Sequence, residues 1–378
     1  MSYHLLAGGY RTSFALLSFE PSTAKLKVES EPPSPKNASW IEPSSTKSKG
    51  TEKVLYSLSE EPDKRMVVSL TLEGEDVEIT EKRATHGVPA HVHCMKDGSG
   101  VVVSNYVGGS IVFFPVEADG KLSSTSKSTP LKFPFVYENK NAPNPERQDE
   151  PHPHQVVEGA DQELFVADLG GDRIWVVKRQ GLDELSIKGY FQCPGGSGPR
   201  HCVTSADGKH LYVLTELDST LFLFSLDNPS YPAHPLPDSE HSIIPSSVPA
   251  THSKLVQAAE LVAHPTIPNV LYASNRWELH INERKGDLPG LPETPEGDAV
   301  AIVLLNPSGS KVEQIKHVRT ECDAIRAMSV SPDGKFVALA GQEGGGVEIW
   351  AVSGDRGDEW KLAAKNSNCK SVTDLVWL

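Results

Sequence analysis

Apolar positions along the chain gather in short runs, and the runs come in pairs. The first member of each pair reads HLLAGG (4–9), KVLYSLSE (53–60), GVVVSNY (100–106), ELFVADL (163–169), HLYVLTEL (210–217), VLYASNR (270–276) and FVALAGQE (336–343). The second member follows a turn: FALLSFE (14–20), MVVSLTL (66–72), SIVFFPV (110–116), RIWVVKR (173–179), TLFLFSL (220–226), VAIVLLN (300–306) and VEIWAVS (347–353). Each run is rich in Val, Ile, Leu, Phe or Tyr, and most of the intervening turns carry Gly, Asp or Ser. These are hairpin signals. Only the sixth pair is split by a long insert, 277–299.

Five pairs are preceded by a third segment with its own turn: AHVHCMKDGSG, HPHQVVEGADQ, PRHCVTSADGK, AAELVAHPTIP and IRAMSVSPDGK. NASWIEPS is a weaker counterpart before the second pair. Successive first strands start about 47 to 66 residues apart, the spacing at which propeller blades repeat. The N-terminal pair has no preceding segment, and the chain ends on an orphan strand, SVTDLVWL (371–378). The C-terminal strand therefore completes the N-terminal blade, a closure that removes exposed sheet edges. Two stacked β-sandwiches would match the strand count but leave the triplets and the orphan end unexplained. The expectation is an all-β, seven-bladed propeller forming a single domain over 1–378, with inserted loops near 32–50, 137–151, 228–255 and 277–298.

Composition sharpens this picture. The 378 residues include 36 basic and 50 acidic side chains, a formal charge of −14. That balance argues against duplex nucleic acid or an anionic membrane as partner, since both select clustered Lys and Arg. No run of 18 apolar residues exists, so no helix spans a bilayer. The N-terminus lacks the basic region of a secretory signal. Five scattered cysteines, Cys94, Cys193, Cys202, Cys322 and Cys369, form no paired or zinc-like spacing and fit reduced thiols. A cytoplasmic location is the expectation, with a monomer or weak homodimer, and the Asn37-Ala38-Ser39 sequon is read as fortuitous.

In a propeller the first strand of each blade lines the central channel. Polar residues there are His91 and His93, His152 and His154, Arg200 and His201, Glu260, and Arg326. On the next strand the matched positions carry Asn105, Asp168, Glu216, Asn275 with Arg276, and Gln342, where packing normally selects Val or Leu. A hydrogen-bonded belt between blades is the simpler account of Asn105, Asp168 and Gln342, which also stand as candidates for substrate contact. For His154, Arg200, Glu216 and Arg276 chemistry is the better account. Two converging arginines recognise an anion, and a histidine beside a glutamate can move a proton near neutral pH.

Weaker motifs add little. The His-x-His pairs at 91–93 and 152–154 suggest a metal only if both rings face one side, and they lack a third fixed ligand or enough carboxylates. AGQEGGG (340–346) is glycine-rich but has no strand-turn-helix setting and no phosphate-loop lysine. No Gly-x-Ser-x-Gly elbow is present, and Cys202 beside His201 is a poor dyad because consecutive strand residues face opposite ways. Neither metal nor organic cofactor is required.

The stretches NPERQDEPHPHQVV (144–157), VADLGGDRIWVV (166–177) and GSGPRHCVTSADGKHLYVLTELDSTLFLF (196–224) resemble the lactonase family of seven-bladed propellers. That family includes propeller-type 6-phosphogluconolactonases and is related to the fungal 3-carboxy-cis,cis-muconate lactonizing enzymes. The likeness is dense over 85–225, returns at LYASNR and SVSPDGKF, and is thin in 21–65 and 228–300. It implies that His154, Arg200, Glu216 and Arg276 form the catalytic set; the channel positions His91, His93, His152, His201, Arg326, Asn105, Asp168 and Gln342, with Arg147 from the preceding loop, are the candidates for substrate contact. The implied reaction is hydrolysis of a small anionic or sugar lactone, such as 6-phosphogluconolactone. On that reading His154 activates water, Glu216 orients it, and one arginine meets the oxyanion. The other arginine, with Arg147 or Lys140, holds a phosphate or carboxylate. A cycloisomerase acting on a carboxymuconate-type lactone and a non-catalytic scaffold propeller are the alternatives. The insert after Arg276, WELHINERKGDLPGLPETPEGD, departs from the short turn the family pattern expects and adds material over the channel mouth.

Overall fold

The computed structural model describes residues 2–44, 46–61, 63–137, 141–181 and 184–378, the Asp161 side chain excepted. They form seven four-stranded antiparallel sheets arranged as blades, numbered here in chain order. The sheet of blade 1 runs Val372–Trp377, Tyr3–Gly9, Ala15–Glu20, Lys25–Ser30, so the last strand of the chain is the innermost strand of the first blade. Leu5 faces Trp377, Ala7 faces Leu375 and Gly8 faces Asp374 across this closure. A Cβ on Gly8 would sit 2.4 Å from the Ala38 carbonyl oxygen, so only glycine lets blade 2 approach the seam.

The innermost strands of blades 2 to 7 are Ile41–Pro43, Val88–Cys94, Pro153–Glu158, Pro199–Thr204, Gln257–Ala263 and Asp323–Val330. The weak NASWIEPS segment is thus the inner strand of blade 2. Strand faces alternate, so one set of apolar side chains from each blade packs against the next blade. Leu5, Leu17 and Trp377 meet Ala338, Ala340 and Ile349 at one junction, while Tyr212, Leu214 and Leu223 meet Leu271, Ala273 and Val303 at another. Burying each large side chain contributes roughly 1.5–3 kcal/mol. Small polar residues then clip neighbouring blades: Ser104 Oγ donates to the His154 carbonyl (2.7 Å), and Ser274 Oγ to that of Ile325 (3.0 Å).

The outer strands escape the hydrophobic pattern. Asp76–Ala84 and Val312–Arg319 are charged and half-exposed, and Leu131–Lys132 and His241–Ser242 are two residues long.

One backbone device recurs on the channel side. The pairing register of the inner strands shifts between Pro89 and His91, Pro153 and Gln155, Pro199 and His201, and Ile325 and Ala327. Each shift leaves one extra residue: Ala90, His154, Arg200 and Arg326. A bulge bends its strand and re-aims the extra side chain. Here all four turn to the mouth of the channel.

Candidate active site

Those four residues line a cavity of about 330 Å³ together with Tyr10, Glu60, Val88, Pro89, Tyr106, Arg147, Glu216 and Arg276. Glu216 is the hub. Its Oε2 accepts from Arg200 Nη1 (2.7 Å) and lies 3.2 Å from Arg276 Nη2, while its Oε1 accepts from Arg147 Nη2 (2.7 Å). Burial alone would raise the Glu216 carboxyl, but Arg276, Arg200 and Arg147 outweigh it and hold it below the usual range. Arg200 is fixed further by Nε donating to the Ala259 carbonyl (3.1 Å), and Arg276 by Nη2 donating to that of Ala258 (3.0 Å). The Nε of Arg276 is buried with no partner among the described residues.

Across the cavity, Arg326 Nη1 donates to Tyr10 Oη (2.6 Å) and to Gln342 Oε1 (3.1 Å), with Glu60 3.7 Å from its Nη2. His154 stands between the two poles at only 3% exposure. Burial first, then the charges of Arg200 and Arg326, push its ring well below the ordinary histidine range. It is a neutral imidazole in a positive cavity. Four guanidiniums against two carboxylates leave a surplus of two positive charges around it.

Loop chemistry explains this positioning. Gly198 adopts a left-handed conformation (φ 65°). Its N–H donates to Asp172 Oδ1 (2.8 Å), and its carbonyl accepts from Glu216 N–H (2.7 Å). The Gly-Pro-Arg run thus fixes Arg200 and Glu216 through one backbone knot.

The expected row of Asn, Asp, Glu, Asn and Gln at one register is two rows. Strand pairing aligns Asn105, Asp168, Thr215 and Asn275, each opposite the start of its inner strand. These residues face away from the cavity and hold turns. Asn105 Nδ2 donates to Ser110 Oγ, and Asn275 Nδ2 to the Ile243 carbonyl. Asp168 accepts from His152 N–H, Gly171 N–H and Trp175 Nε1. The next residue along, facing the other way as strand alternation requires, is Tyr106, Glu216 or Arg276. That second row meets the cavity, so Asn105 and Asp168 are corrected from substrate contacts to turn supports.

The histidines separate likewise. The bulge at His154 breaks the alternation that would put it beside His152. The His152 ring instead stacks on Tyr106 (centroids 4.4 Å) and bonds the Tyr106 carbonyl and Asp149, behind the cavity wall. His93 lies between Glu42 and Glu158, 3.6 Å from each, away from His91. His91 and His201 sit inside the channel beneath the cavity, their rings 6.5 Å apart. Gln342 reaches the site only through Arg326. Lys140 lies outside the described residues. Cys202 is buried, and burial raises its thiol to about 12, the reverse of an activated nucleophile.

The sequence reading missed Tyr10, Glu60 and Tyr106. Each lies within one residue of the end of the strand after an inner strand, near the place held by Arg276 in blade 6, and that equivalence was the available signal. The 277–298 insert borders the site: Trp277, His280, Glu283 and Arg284 form a neighbouring groove of about 500 Å³ with Asn144, Glu146, Gln257 and Arg147. Trp277 is left-handed (φ 78°), its N–H held by Asp298 Oδ2 (3.2 Å), and Ile281 anchors the short helix Ile281–Arg284 against Val248 and Val256.

The family described as "Lactonase, 7-bladed beta-propeller" matches residues 4–377. The chain belongs to this lactonase family. A protein of Arthroderma benhamiae named "Probable 6-phosphogluconolactonase" is 24% identical over 376 residues, covering 98% of this chain and 87% of its own length. The 6-phosphogluconolactonase of Formosa agariphila is 26% identical over 285 residues, covering 72% of this chain and 69% of its own. The solved structure of a Pseudomonas aeruginosa periplasmic gluconolactonase shares the fold, with a TM-score of 0.78 at 21% identity and coverage of 100% and 99%. Among the described residues, no helix of this lactonase-family chain is long and apolar enough to cross a membrane.

Proposed function

We propose that the protein hydrolyses a sugar-type lactone bearing an anionic group, with 6-phosphogluconolactone as the leading substrate. The observation that carries this is the neutral, buried His154 inside a cavity with a surplus of two positive charges. A dianionic phosphate ester matches that surplus, and family membership and the names of the relatives support lactone chemistry.

In this reading water attacks the lactone carbonyl while His154 takes its proton. The developing oxyanion faces Arg200 and Arg276, already ordered by Glu216 and backbone carbonyls, so little reorganisation is needed. Collapse of the tetrahedral intermediate breaks the ring C–O bond. His154 returns the proton to the departing oxygen, leaving a hydroxyl and a carboxylic acid. Arg326, with Tyr10, holds the distal anion across the cavity. The ionised Glu216 acts by holding three guanidiniums in place and does not carry the proton itself.

The chemistry uses only the chain's own residues. The five free, buried cysteines support a reducing, cytoplasmic setting, and the closed ring supports a monomer or weak homodimer. The test is acid release from freshly prepared 6-phosphogluconolactone, unphosphorylated gluconolactone and a carboxymuconate lactone. Turnover above the spontaneous rate with the phosphorylated lactone preferred is expected. Turnover of the carboxymuconate lactone alone would replace hydrolysis by a cycloisomerase reading, and no turnover of any would overturn both.

A further inference from the structure

Beneath the cavity the residue after the bulge turns into the channel in blades 3, 4 and 5, as His91, Gln155 and His201, whereas Ala327 of blade 7 packs into a blade junction. His91, Gln155, His201, Glu260 and Asp374, with the half-buried Trp40, form a second layer. Its centre is His201, fully buried, with Nδ1 2.5 Å from Glu260 Oε1. The other nitrogen, Nε2, has no partner among the described residues. The His201 ring centroid is 5.1 Å from that of His154, whose own Nδ1 is also buried and unpartnered. Two orphaned ring nitrogens on adjacent imidazoles are costly unless they serve one another, directly or through one bridging water.

We propose that Glu260, acting through His201, sets the tautomer of His154 and so decides whether His154 offers the cavity a lone pair or an N–H. This rests on His154 acting as the base in the proposed hydrolysis. A neutral imidazole carries one N–H and one lone pair. With Glu260 protonated, its O–H donates to His201 Nδ1. His201 Nε2–H then points to His154 Nδ1, and His154 presents Nε2–H to the cavity. With Glu260 ionised, His201 Nδ1–H donates to the carboxylate. His201 Nε2 accepts from His154 Nδ1–H, and His154 Nε2 is a free lone pair. The single proton lost leaves from His154 Nε2 into the cavity, while the other two each shift along one hydrogen bond. Only the second state is base-competent.

Burial and the charges of Arg200, Arg276 and Arg326 hold the His201 ring neutral against the pull of Glu216, and Gln155 Nε2 lies 3.4 Å from its Nδ1. Arg200 from blade 5, Arg326 from blade 7 and the Leu261 N–H favour the Glu260 carboxylate, whereas burial opposes it more strongly and raises the group to about 8. Asp374 from blade 1 is pushed well up by burial, against the Ile41 and Leu375 N–H groups that its two oxygens accept from. His91 and Trp40 face His201 from blades 3 and 2, and burial and the neighbouring His201 and His93 keep His91 neutral.

The test combines kinetics with tautomer assignment. In the wild-type protein without substrate, long-range nitrogen–proton NMR should show the His154 proton on Nε2 at pH 6 and on Nδ1 at pH 9. A His154 tautomer unchanged between these values overturns the proposal even if the lactonase reading stands. For activity, kcat of the wild type should rise through the same midpoint. Glu260→Gln should lose that rise and about 10²-fold in kcat, as expected when a general base is mis-set, with KM within about threefold. A Glu260→Gln variant that is folded by circular dichroism and keeps the wild-type pH profile overturns it as well.

Discussion

Glu216 and the three guanidiniums around it are the most consequential residues of the site. Buried at 2% exposure, the carboxylate offsets part of the repulsion among Arg147, Arg200 and Arg276, the last two of them also buried. Breaking a buried ion pair by removing one partner typically costs about 3–5 kcal/mol. Glu216→Gln, close in shape but uncharged, is expected to lower the unfolding free energy by about that amount in urea titration. A loss below about 1 kcal/mol would mean that solvent screens the cluster. This cluster was legible in the sequence because Arg, Glu and Arg stand where strands carry Val. Asn105 and Asp168 looked equally anomalous, yet they are turn supports. A one-residue offset separates the two rows, and that offset is set by bulges that composition and periodicity do not reveal.

The bulged inner strand is the element that builds the site. One strand shape, repeated in blades 3, 4, 5 and 7, presents Ala90, His154, Arg200 and Arg326 at one height. In blade 5 the shape depends on Gly198, whose left-handed φ an L side chain resists and whose Cβ would sit 2.6 Å from the Leu217 side chain. Gly198→Ala should therefore cost about 1–3 kcal/mol of backbone strain. It should also lower kcat/KM, because the same backbone fixes both Arg200 and Glu216. Thermal melting and steady-state kinetics check the two effects, and unchanged values for both would contradict this role. The paired central strands were readable because each buries an apolar face. The outer strands, such as Asp76–Ala84, were not, because Val77 is the one buried residue there and too few apolar positions recur to mark a strand.

At the scale of the whole molecule, closure by Val372–Trp377 makes one ring with a polar channel through an apolar body, and the channel governs pH behaviour. Burial raises Glu260 to about 8 and Asp298 to about 7, so the folded protein holds protons that the unfolded chain has already lost. Their contribution to stability is complete below about pH 4 and disappears as pH rises toward about 8. His91, His154 and His201 act in the opposite sense: burial lowers all three, so stability falls as pH drops below about 6.5, where the unfolded chain takes up protons. The thermal midpoint should be higher at pH 6 than at pH 8.5, and Glu260→Gln should reduce that difference. A midpoint that rises between these two values would contradict the assignment. The ring and its closure followed from counting triplets and one orphan strand. The net charge of −14 gave no hint of the positive cavity, which is built from residues far apart in sequence that only the closed ring assembles.

The central claim is that His154 is the base of a lactone-opening site. The direct measurement is the rate of acid release from 6-phosphogluconolactone by the wild type and His154→Gln, corrected for spontaneous hydrolysis. The account predicts that kcat falls by about 10²–10⁴-fold, the usual contribution of general base catalysis, while KM changes by less than about threefold. A folded His154→Gln protein that turns over the lactone at the wild-type rate would contradict it.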